Sequence, residues 1–515
     1  MKKQLFLSFT AGLLAVCLCA CMPELTRPGG EISGTVPSVP EPLSSPEETL
    51  AKEEKPLTEL TLPYNANDPL NPYQSASARN HLLIPLLYDC LARPDRMRRP
   101  ENQLAEEITV DGTNCIIKWR KDARFSDGSY LTGEDIVYSF QTAMAAGSPY
   151  QATLMNVAGL TDDKDHNQVI AQLFSPDADF PLLLSFPIIK NGTGDYEFPI
   201  GISKFHVTGA HNTGVILGRN PIYYGTQPPL ETIRLVHATD DDTLQFGMNT
   251  GEFDLLYTDL STEALSGVSA PSISVPTNHL VYIGINGRRG LLARPEFRHA
   301  LSLGLNRAEI AMTAYANRVR PAVYPFHPDF YRLSETEIPS RNLTGADALL
   351  DGMGLMEKDG NGYRIQNGQP IFLRLLVNSE NSARSSAATL ICEQLAQIGI
   401  RVEVVSGDFQ QYQNSLQTGA YDLYIGETRL MDNHDFTPLL SGGALGYSTA
   451  YSEELAQRLS QYRETGEIAP LCEMFLAQSP FLPLAYREGL LYMGRSITVS
   501  ITPTQQDLFY NILEW

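Results

Sequence analysis

Cysteine and tryptophan are scarce in this chain of 515 residues, which has seven cysteines and two tryptophans. Three cysteines lie within the first 21 residues, and the other four, Cys90, Cys115, Cys392 and Cys472, are widely separated. The absence of a C-x-x-C pair excludes zinc-ribbon and thioredoxin-type redox motifs. We expect buried free thiols, and one disulfide is the alternative in an oxidising compartment.

The sequence also lacks the common catalytic and phosphate-binding signatures. It has no G-x-S-x-G elbow, no H-E-x-x-H helix and no phosphate-binding glycine loop. The nine histidines are dispersed, so we predict no dedicated metal site and no cofactor. Acidic residues outnumber basic ones by 59 to 38, which argues against nucleic acid as a partner because phosphate binding needs clustered Lys and Arg. We therefore predict a protein that is not an enzyme, with a secreted hydrolase as the weaker alternative.

A long apolar run is absent except at the N-terminus. Lys2 and Lys3 precede about 15 apolar residues, fewer than the ~20 that a membrane span needs. Small residues and Cys21 follow, in the order of a lipoprotein signal over residues 1–21. We predict cleavage before Cys21 and lipidation of its thiol, which would hold an extracytoplasmic body on the cell membrane, at the cell surface or in the periplasm. An ordinary signal with an incidental cysteine is the alternative.

Residues 22–57 contain seven prolines, seven glutamates and no aromatic residue. A segment of this composition cannot bury enough apolar surface to fold. We predict a disordered tether, which as a flexible coil has a root-mean-square length of roughly 30–35 Å.

The body that follows is too long for a single core and predicts two or three lobes. Predicted strands are residues 57–62, 280–286, 371–377, 400–405 and 421–425, with a hairpin at 108–119 around Asp111 and Gly112. Predicted helices are residues 80–91, one capped by Thr132 and Asp135 and running to 146, one from Pro295, one capped by Asn306 and Glu309, 382–397 before Gly399, and 408–417 before Gly419. These patterns indicate an α/β protein.

The alternation of strand and helix between residues 371 and 425 is the clearest of these patterns. It predicts parallel strands joined by a right-handed crossover, and ligands bind beyond the carboxyl ends of such strands. Two loops leave these ends, at residues 378–381 and 427–435. The second loop contains Glu427, Arg429, Asp432, His434 and Asp435. It is a candidate binding site, and a solvated surface loop is the alternative.

Several short motifs occur in order along the body. They are Leu70-Asn-Pro-Tyr73, Leu87-Tyr-Asp89, Leu104-Ala-Glu106, the stretch from Trp119 to Gly128, the stretch from Leu131 to Phe140, Arg219-Asn-Pro-x-Tyr223, Gly251-Glu-Phe-Asp254, Arg298-His-Ala-Leu-Ser302 with Asn306-Arg307, and Pro483-Leu-Ala-Tyr486. Together they resemble the extracellular solute-binding proteins of the oligopeptide/dipeptide/nickel class (family 5), the binding components of ABC importers. The resemblance spans nearly the whole body.

The resemblance implies a two-lobed periplasmic-binding-protein-like fold of class II, with an extra subdomain and a hinge between the lobes. The first lobe would comprise residues 58–276 and 482–515, and the second lobe residues 277–481. The chain would cross between them near Val275 and Pro276 and again at residues 479–483. A monomer of this kind would capture a short peptide, or a similar small solute, by lobe closure and deliver it to ABC permease subunits. A signalling receptor and a non-peptide ligand, such as a nickel chelate or a sugar, are the alternatives.

In peptide-binding relatives an acidic residue of the second-lobe loop receives the α-ammonium group of the ligand. The resemblance places Asp432 at or beside that position, with Asp435 as the alternative. Arg429 is a candidate for binding a carboxylate through its two-pronged guanidinium, and Glu427 for selecting a cationic group. Internal ion pairs and turn caps are the other roles open to these side chains.

Four further residues are candidates for the ligand site. Tyr64 and Asn65 begin a first-lobe loop that could line the cleft. Asn286 ends a strand, where its amide could bond either a ligand or a turn, and Tyr447 could close over the ligand or simply pack. The sequence departs from the family where Glu427 stands in place of a tryptophan, which indicates a more polar pocket.

Overall fold

The computed structural model describes residues 57–211, 214–259 and 267–515. The predicted signal, Cys21 and nearly all of the predicted tether lie outside these ranges.

Strands and helices both run through the described ranges. The strands are β1 (Glu59–Tyr64), β2 (Ala92–Pro94), β3 (Pro100–Asn102), β4 (Ala105–Asp111), β5 (Asn114–Trp119), β6 (Val157–Asp163), β7 (Gln168–Leu173), β8 (Phe205–His211), β9 (Gly214–Arg219), β10 (Thr232–His237), β11 (Leu255–Thr258), β12 (Ser272–Ile285), β13 (Val319–Pro321), β14 (Ile365–Gln366), β15 (Gln369–Pro370), β16 (Phe372–Asn378), β17 (Arg401–Gly407), β18 (Leu423–Arg429) and β19 (Phe481–Met493). The α-helices are α1 (Ala78–His81), α2 (Ile84–Leu87), α3 (Gly133–Met144), α4 (Asp241–Thr250), α5 (Pro295–Gly304), α6 (Arg307–Tyr315), α7 (Leu343–Gly352), α8 (Ser382–Ala396), α9 (Phe409–Thr418), α10 (Glu453–Thr465) and α11 (Ala469–Gln478). Short 3-10 turns lie at Ala152–Leu154, Phe180–Leu183, Gly290–Ala293, Tyr331–Leu333, Thr437–Leu439 and Ile512–Glu514.

The strands form three larger sheets and two short pairs. A seven-stranded sheet has the order β11-β19-β12-β18-β16-β17, with β13 beside β19. Two four-stranded sheets have the orders β1-β10-β9-β8 and β4-β5-β7-β6, and β2-β3 and β14-β15 form the pairs. In the seven-stranded sheet β16 is parallel to β17 and β18, while β12 is antiparallel to both β18 and β19.

Local sequence signals explain much of this order. The Thr132 hydroxyl accepts a bond from the Asp135 N–H while the Asp135 carboxylate accepts one from the Thr132 N–H, so the predicted capping box of α3 is confirmed. The β16–α8–β17 unit is confirmed, and its strands are parallel as predicted. Gly419 ends α9 with φ of +67°, a conformation that glycine adopts without a Cβ penalty.

Two predictions about element length are wrong. The single helix predicted over residues 80–91 is divided into α1 and α2, because Pro85 suits the first turn of a helix but not its interior. The strand predicted to end at residue 425 continues to Arg429, since β12 pairs with it as far as His279 opposite Arg429. Glu427 and Arg429 are therefore strand residues rather than loop residues.

Three clusters make up most of the apolar core of the described residues. One is built mainly from residues before position 256 and includes Leu491 and Trp515 near the C-terminus. Another, made mostly of residues 281–425, includes Leu484. A third, about as large as the second, lies mostly within residues 280–486 and includes Tyr282 and Tyr486. Since β12 and β19 supply side chains to all three clusters, these paired strands run through the whole core.

The four cysteines in the described residues are unpaired. Burial raises the pKa of the Cys90 and Cys392 thiols to about 11. None of the described helices combines the length and the apolar character that a membrane crossing requires.

Candidate ligand-binding site

The second half of β18 has an edge that no strand covers within the described ranges. On that side β16 pairs only with Leu423 and Tyr424. The N–H of Leu430 donates to Asn278 on β12 at 2.9 Å, and alternate residues of a strand point their backbone groups to opposite sides. The backbone groups of Glu427 and Arg429 therefore face away from β12. Such an edge can pair with another extended chain.

Three basic or titratable side chains surround Glu427 beside this edge. Arg384 Nη2 lies 2.6 Å and Arg487 Nη1 2.9 Å from its carboxylate oxygens, and His279 Nδ1 lies 3.7 Å away. We call these four residues the Glu427 group. They come from β18, the first turn of α8, β19 and β12, so the seven-stranded sheet and the helix that follows β16 position them together.

The electrostatics of the Glu427 group favour an additional negative charge. The Glu427 side chain is 11% exposed. Burial would raise its pKa, but the bond to His279 and the charges of Arg487 and Arg384 outweigh burial and hold the pKa far below its usual value. Two guanidinium groups thus face one carboxylate. Arg384 Nε is buried without a hydrogen-bond partner among the described residues, which leaves it able to donate to a carboxylate.

A set of tyrosine rings lies on the opposite face of the same two strands. Tyr282 on β12 and Tyr424 on β18 have ring centroids 5.8 Å apart, and the Tyr447 ring lies 6.1 Å from that of Tyr424. A Cβ atom at Gly284 would come within 2.0 Å of the Tyr424 ring, and one at Gly426 within 2.6 Å of the Tyr282 ring. Glycine at these two positions therefore allows the rings to cross the strands.

The structure places the predicted acidic residues in internal contacts. Asp432 accepts bonds from the Asn278 amide at 2.7 Å and from Gln506. Burial raises the pKa of Asp432, against the opposing charges of Arg429 and Arg98. Arg429 itself is exposed at the end of β18. The ligand roles of Asp432 and Arg429 remain predictions.

Asp435 caps the turn that follows it. Its carboxylate accepts bonds from the Thr437 N–H at 3.0 Å and from Arg463 at 2.8 Å. Glu427, predicted to select a cationic group, lies between two arginines, so a ligand cation would have to compete with both. The roles predicted for Asp435 and Glu427 also stay untested.

The four remaining candidates lie in different parts of the fold. Asn286 is buried and its amide donates to the carbonyl of Tyr421 at 3.1 Å, the turn role that the sequence left open. Tyr447 is half-buried against Tyr424. Tyr64 is buried near His237, and Asn65 bonds with Asn80. Within the described ranges no hydrogen bond or ring contact joins these four residues to the Glu427 group, and their ligand roles remain predictions.

Sequence reasoning missed Arg384, Arg487 and His279. Arg384 lies just after one of the two predicted ligand loops, in the first turn of the helix that follows residues 378–381. Arg487 comes immediately after the family motif that ends at Tyr486. His279 carried no local signal, because only pairing with β18 brings it beside Glu427.

Residues 430–436 are also fixed by a contact with a distant part of the chain. The Asn433 amide donates to Asp177 at 2.9 Å. Burial raises the pKa of Asp177 to about 6, although the bond from Asn433 opposes the increase. The folded protein therefore binds a proton at Asp177 in a pH range where the unfolded chain has released it.

We expect wild-type stability to fall, relative to Asp177→Asn, as the pH rises from about 4 to 6. The folded pKa lies above the ordinary value of 3.8, so the stabilising effect of protonation is present below pH 4 and lost as the pH passes the folded pKa. The difference in free energy of unfolding between wild type and Asp177→Asn should change by on the order of 2–3 kcal/mol over this pH range. Urea unfolding of both proteins between pH 4 and 7 measures it, with the exposed Asp195→Asn as control. Parallel pH profiles for wild type and Asp177→Asn would contradict the assignment.

One core mainly before residue 276 and two cores mostly within residues 280–486 are joined by paired strands, with a charged group at the carboxyl ends of parallel strands, and this arrangement defines a two-lobed α/β binding fold. A family model described as bacterial extracellular solute-binding proteins, family 5 Middle, matches residues 99–444, more than half of the chain. This chain therefore belongs to the bacterial extracellular solute-binding proteins of family 5.

Individual relatives agree with this family. The chain is 24% identical to the oligopeptide-binding protein AppA of Bacillus subtilis (strain 168) over 348 residues, which cover 62% of this chain and 63% of that protein, a little less than two thirds of its length. It is 22% identical to the di/tripeptide-binding protein 2 of Pseudomonas aeruginosa (strain UCBPP-PA14) over 442 residues, covering 74% and 79% of the two chains. The crystal structure of a nickel ABC transporter from Bacillus halodurans has a TM-score of 0.70 at 17% identity, covering 88% of this chain and 98% of that one. The predicted two-lobed α/β fold is thus confirmed.

Proposed function

We propose that this chain is the substrate-binding lipoprotein of an ABC importer, which captures a short peptide and delivers it to a membrane permease. The observation that carries the proposal is the uncovered edge of β18 beside the Glu427 group. An open strand edge bonds the backbone of an extended ligand with little regard to its side chains. The two arginines of the group suit a terminal carboxylate.

The lobes of this protein are proposed to comprise residues 58–276 with 482–515, and residues 277–481. The division of the apolar core supports these bounds, since Leu491 and Trp515 return to the first cluster. The hinge would be the paired part of β12 and β19, where the register shifts between Pro276 and Leu280. A ligand that contacts both lobes only when they meet would shift the equilibrium towards the closed form.

The body is proposed to work as a monomer outside the cytoplasm, without catalysis. The family description as extracellular proteins supports this location. The N-terminal signal and Cys21 would supply the lipid anchor, and residues 22–57 the tether. Permease subunits are the expected protein partner, and the closed form is the state that they would recognise.

Native mass spectrometry of the purified protein tests the proposed ligand class. We expect short peptides to co-purify and to be recovered uncleaved. Recovery of only a sugar or a metal chelate would overturn the peptide assignment while leaving the importer assignment intact. Cleaved peptides would overturn the assignment as a binding protein.

Substitution of Asp432 tests the predicted amine contact. We expect Asp432→Asn to weaken binding of peptides with a free α-amine by about tenfold or more, because a charge-assisted bond contributes ~1.5–3 kcal/mol. Binding of N-acetylated peptides should change little. Titration calorimetry with matched free and acetylated peptides measures both, with the exposed Asp195→Asn as the control. Equal losses for the two peptides would remove Asp432 from the ligand site.

A further inference from the structure

A polar cavity of about 200 Å³ lies on the other side of the strands that join the cores. Arg487 and Glu488 are neighbours on β19, so their side chains point to opposite faces of the sheet. Arg487 bonds Glu427, whereas Glu488 accepts a bond of 2.8 Å from Arg320, which lines the cavity. The cavity is therefore separate from the Glu427 group. It is many times larger than the roughly 10–15 Å³ that admits one water molecule.

Arg98 is the buried charged side chain of the cavity lining that has no ion pair, whereas Arg96, also unpaired among the described residues, is exposed. It is 6% exposed, and it donates to the Asn278 amide oxygen and the Thr277 carbonyl. No carboxylate of the described residues lies within 4.0 Å of its guanidinium group. A buried charge is costly unless it is paired. An anion in the cavity would provide the missing partner.

The acidic residues of the cavity lining already have partners. Asp329 lies 3.3 Å from Arg320, and Asp95 lies 2.8 Å from Arg99. The carboxylate with the largest electrostatic effect on Arg98 is Asp432, which bonds the same Asn278 amide rather than Arg98 itself. Burial lowers the pKa of Arg98 to about 10, with an opposing effect from the charge of Asp432, so the group remains charged at neutral pH.

The backbone at Arg98 adopts a conformation that is strained for arginine and favours glycine. Its φ is +56°, in the left-handed region that glycine adopts readily and that costs other residues roughly 1–2 kcal/mol. The residue lies in the turn between β2 and β3, where its N–H donates to the Asp95 carbonyl at 2.9 Å. Because arginine occupies a position that favours glycine, we infer that its buried side chain has a role that offsets the backbone strain.

We propose that this cavity is a second binding site, which holds a small carboxylate or phosphate anion against Arg98. The walls come from both parts of the chain: Asp95, Arg96 and Arg98 belong to the part that contributes the first core, and Arg320 and Asp329 to the part after residue 276. A bound anion would therefore contact both lobes on the face opposite the Glu427 group.

Calorimetric titration of the full-length protein with inorganic phosphate, and separately with acetate, tests the proposal at constant ionic strength in chloride buffer. We expect saturable binding of at least one anion, weakened tenfold or more in Arg98→Gly. Glycine accepts the left-handed backbone, so this variant should keep its fold, which thermal unfolding checks. Arg495→Gln, at an exposed arginine that does not line the cavity, is the control and should bind as wild type does.

A second variant separates this site from the peptide site. Arg384→Met should bind the anion as tightly as wild type, because Arg384 lies in the Glu427 group. Loss of anion binding in Arg384→Met, unchanged binding in Arg98→Gly, or no saturable binding of either probe would each overturn the proposal. None of these outcomes bears on whether peptides bind at the β18 edge.

Discussion

Replacement of Arg384 by methionine is expected to weaken binding of a peptide with a free carboxylate by roughly 30- to 150-fold. The change removes a partly buried guanidinium group that lies 2.6 Å from Glu427 and has an unused N–H at Nε. A charge-assisted bond of this kind contributes about 2–3 kcal/mol, and each 1.4 kcal/mol is a factor of ten in affinity. Methionine keeps most of the side-chain length, so packing changes little. Calorimetry with a peptide and its C-terminal amide measures the effect.

Glu427→Gln is the matched variant, since it removes the opposite charge from the same group. We expect it to retain or strengthen carboxylate binding, because Arg384 and Arg487 are then left without their internal partner. The affinity for the amidated peptide should change little with either substitution. If Glu427→Gln weakened binding of the peptide with a free carboxylate as much as Arg384→Met does, the four residues would be a structural ion-pair network rather than a ligand site.

The parts of this fold that could be predicted are those encoded within short stretches of sequence. Thr132 and Asp135 lie three residues apart and form their capping box within one turn of helix. The β16–α8–β17 unit has strand and helix periodicities that are independent of the rest of the chain. Such elements need no distant contact to be recognised.

The candidate site could be predicted only in part, because its members are far apart in the chain. The position of Glu427 near the carboxyl end of a strand was a usable signal, since ligands bind at such ends. His279 and Arg487 reach Glu427 only through the pairing of β12 with β18 and β19. No local pattern encodes that pairing.

Asp432 illustrates the opposite case, in which a local signal was incomplete. A carboxylate in a charged loop after a strand indicates a ligand contact, and the sequence offered no reason to expect internal partners. Asn278 lies on β12 and Gln506 near the C-terminus, and both bond this carboxylate. Contacts over such separations are decided by tertiary packing, so the sequence alone could not weigh them against a ligand.

Arg298→Met is expected to lower the free energy of unfolding by about 3–5 kcal/mol. Arg298 is 2% exposed and lies on α5. Its guanidinium group donates to the carbonyls of Leu292 and Ala293, and to those of Gln478 and Ser479 at the end of α11, each at 3.0 Å. Methionine would leave these buried acceptors without a donor, and each unsatisfied group costs about 1–3 kcal/mol. The negative end of the α11 dipole would also lose its nearby cation.

Urea unfolding of three variants separates the bonding role of Arg298 from its charge. Arg298→Lys keeps the positive charge but cannot reach both sets of carbonyls, because lysine lacks the planar fork. Its loss in free energy of unfolding should therefore lie between those of wild type and Arg298→Met. Arg294→Met, at a half-exposed arginine paired with Glu296, should stay within about 0.5 kcal/mol of wild type. A loss below about 1 kcal/mol for Arg298→Met would mean that water or a neighbouring donor replaces the guanidinium group. The bonds of Arg298 would then not be what holds α5 against the end of α11.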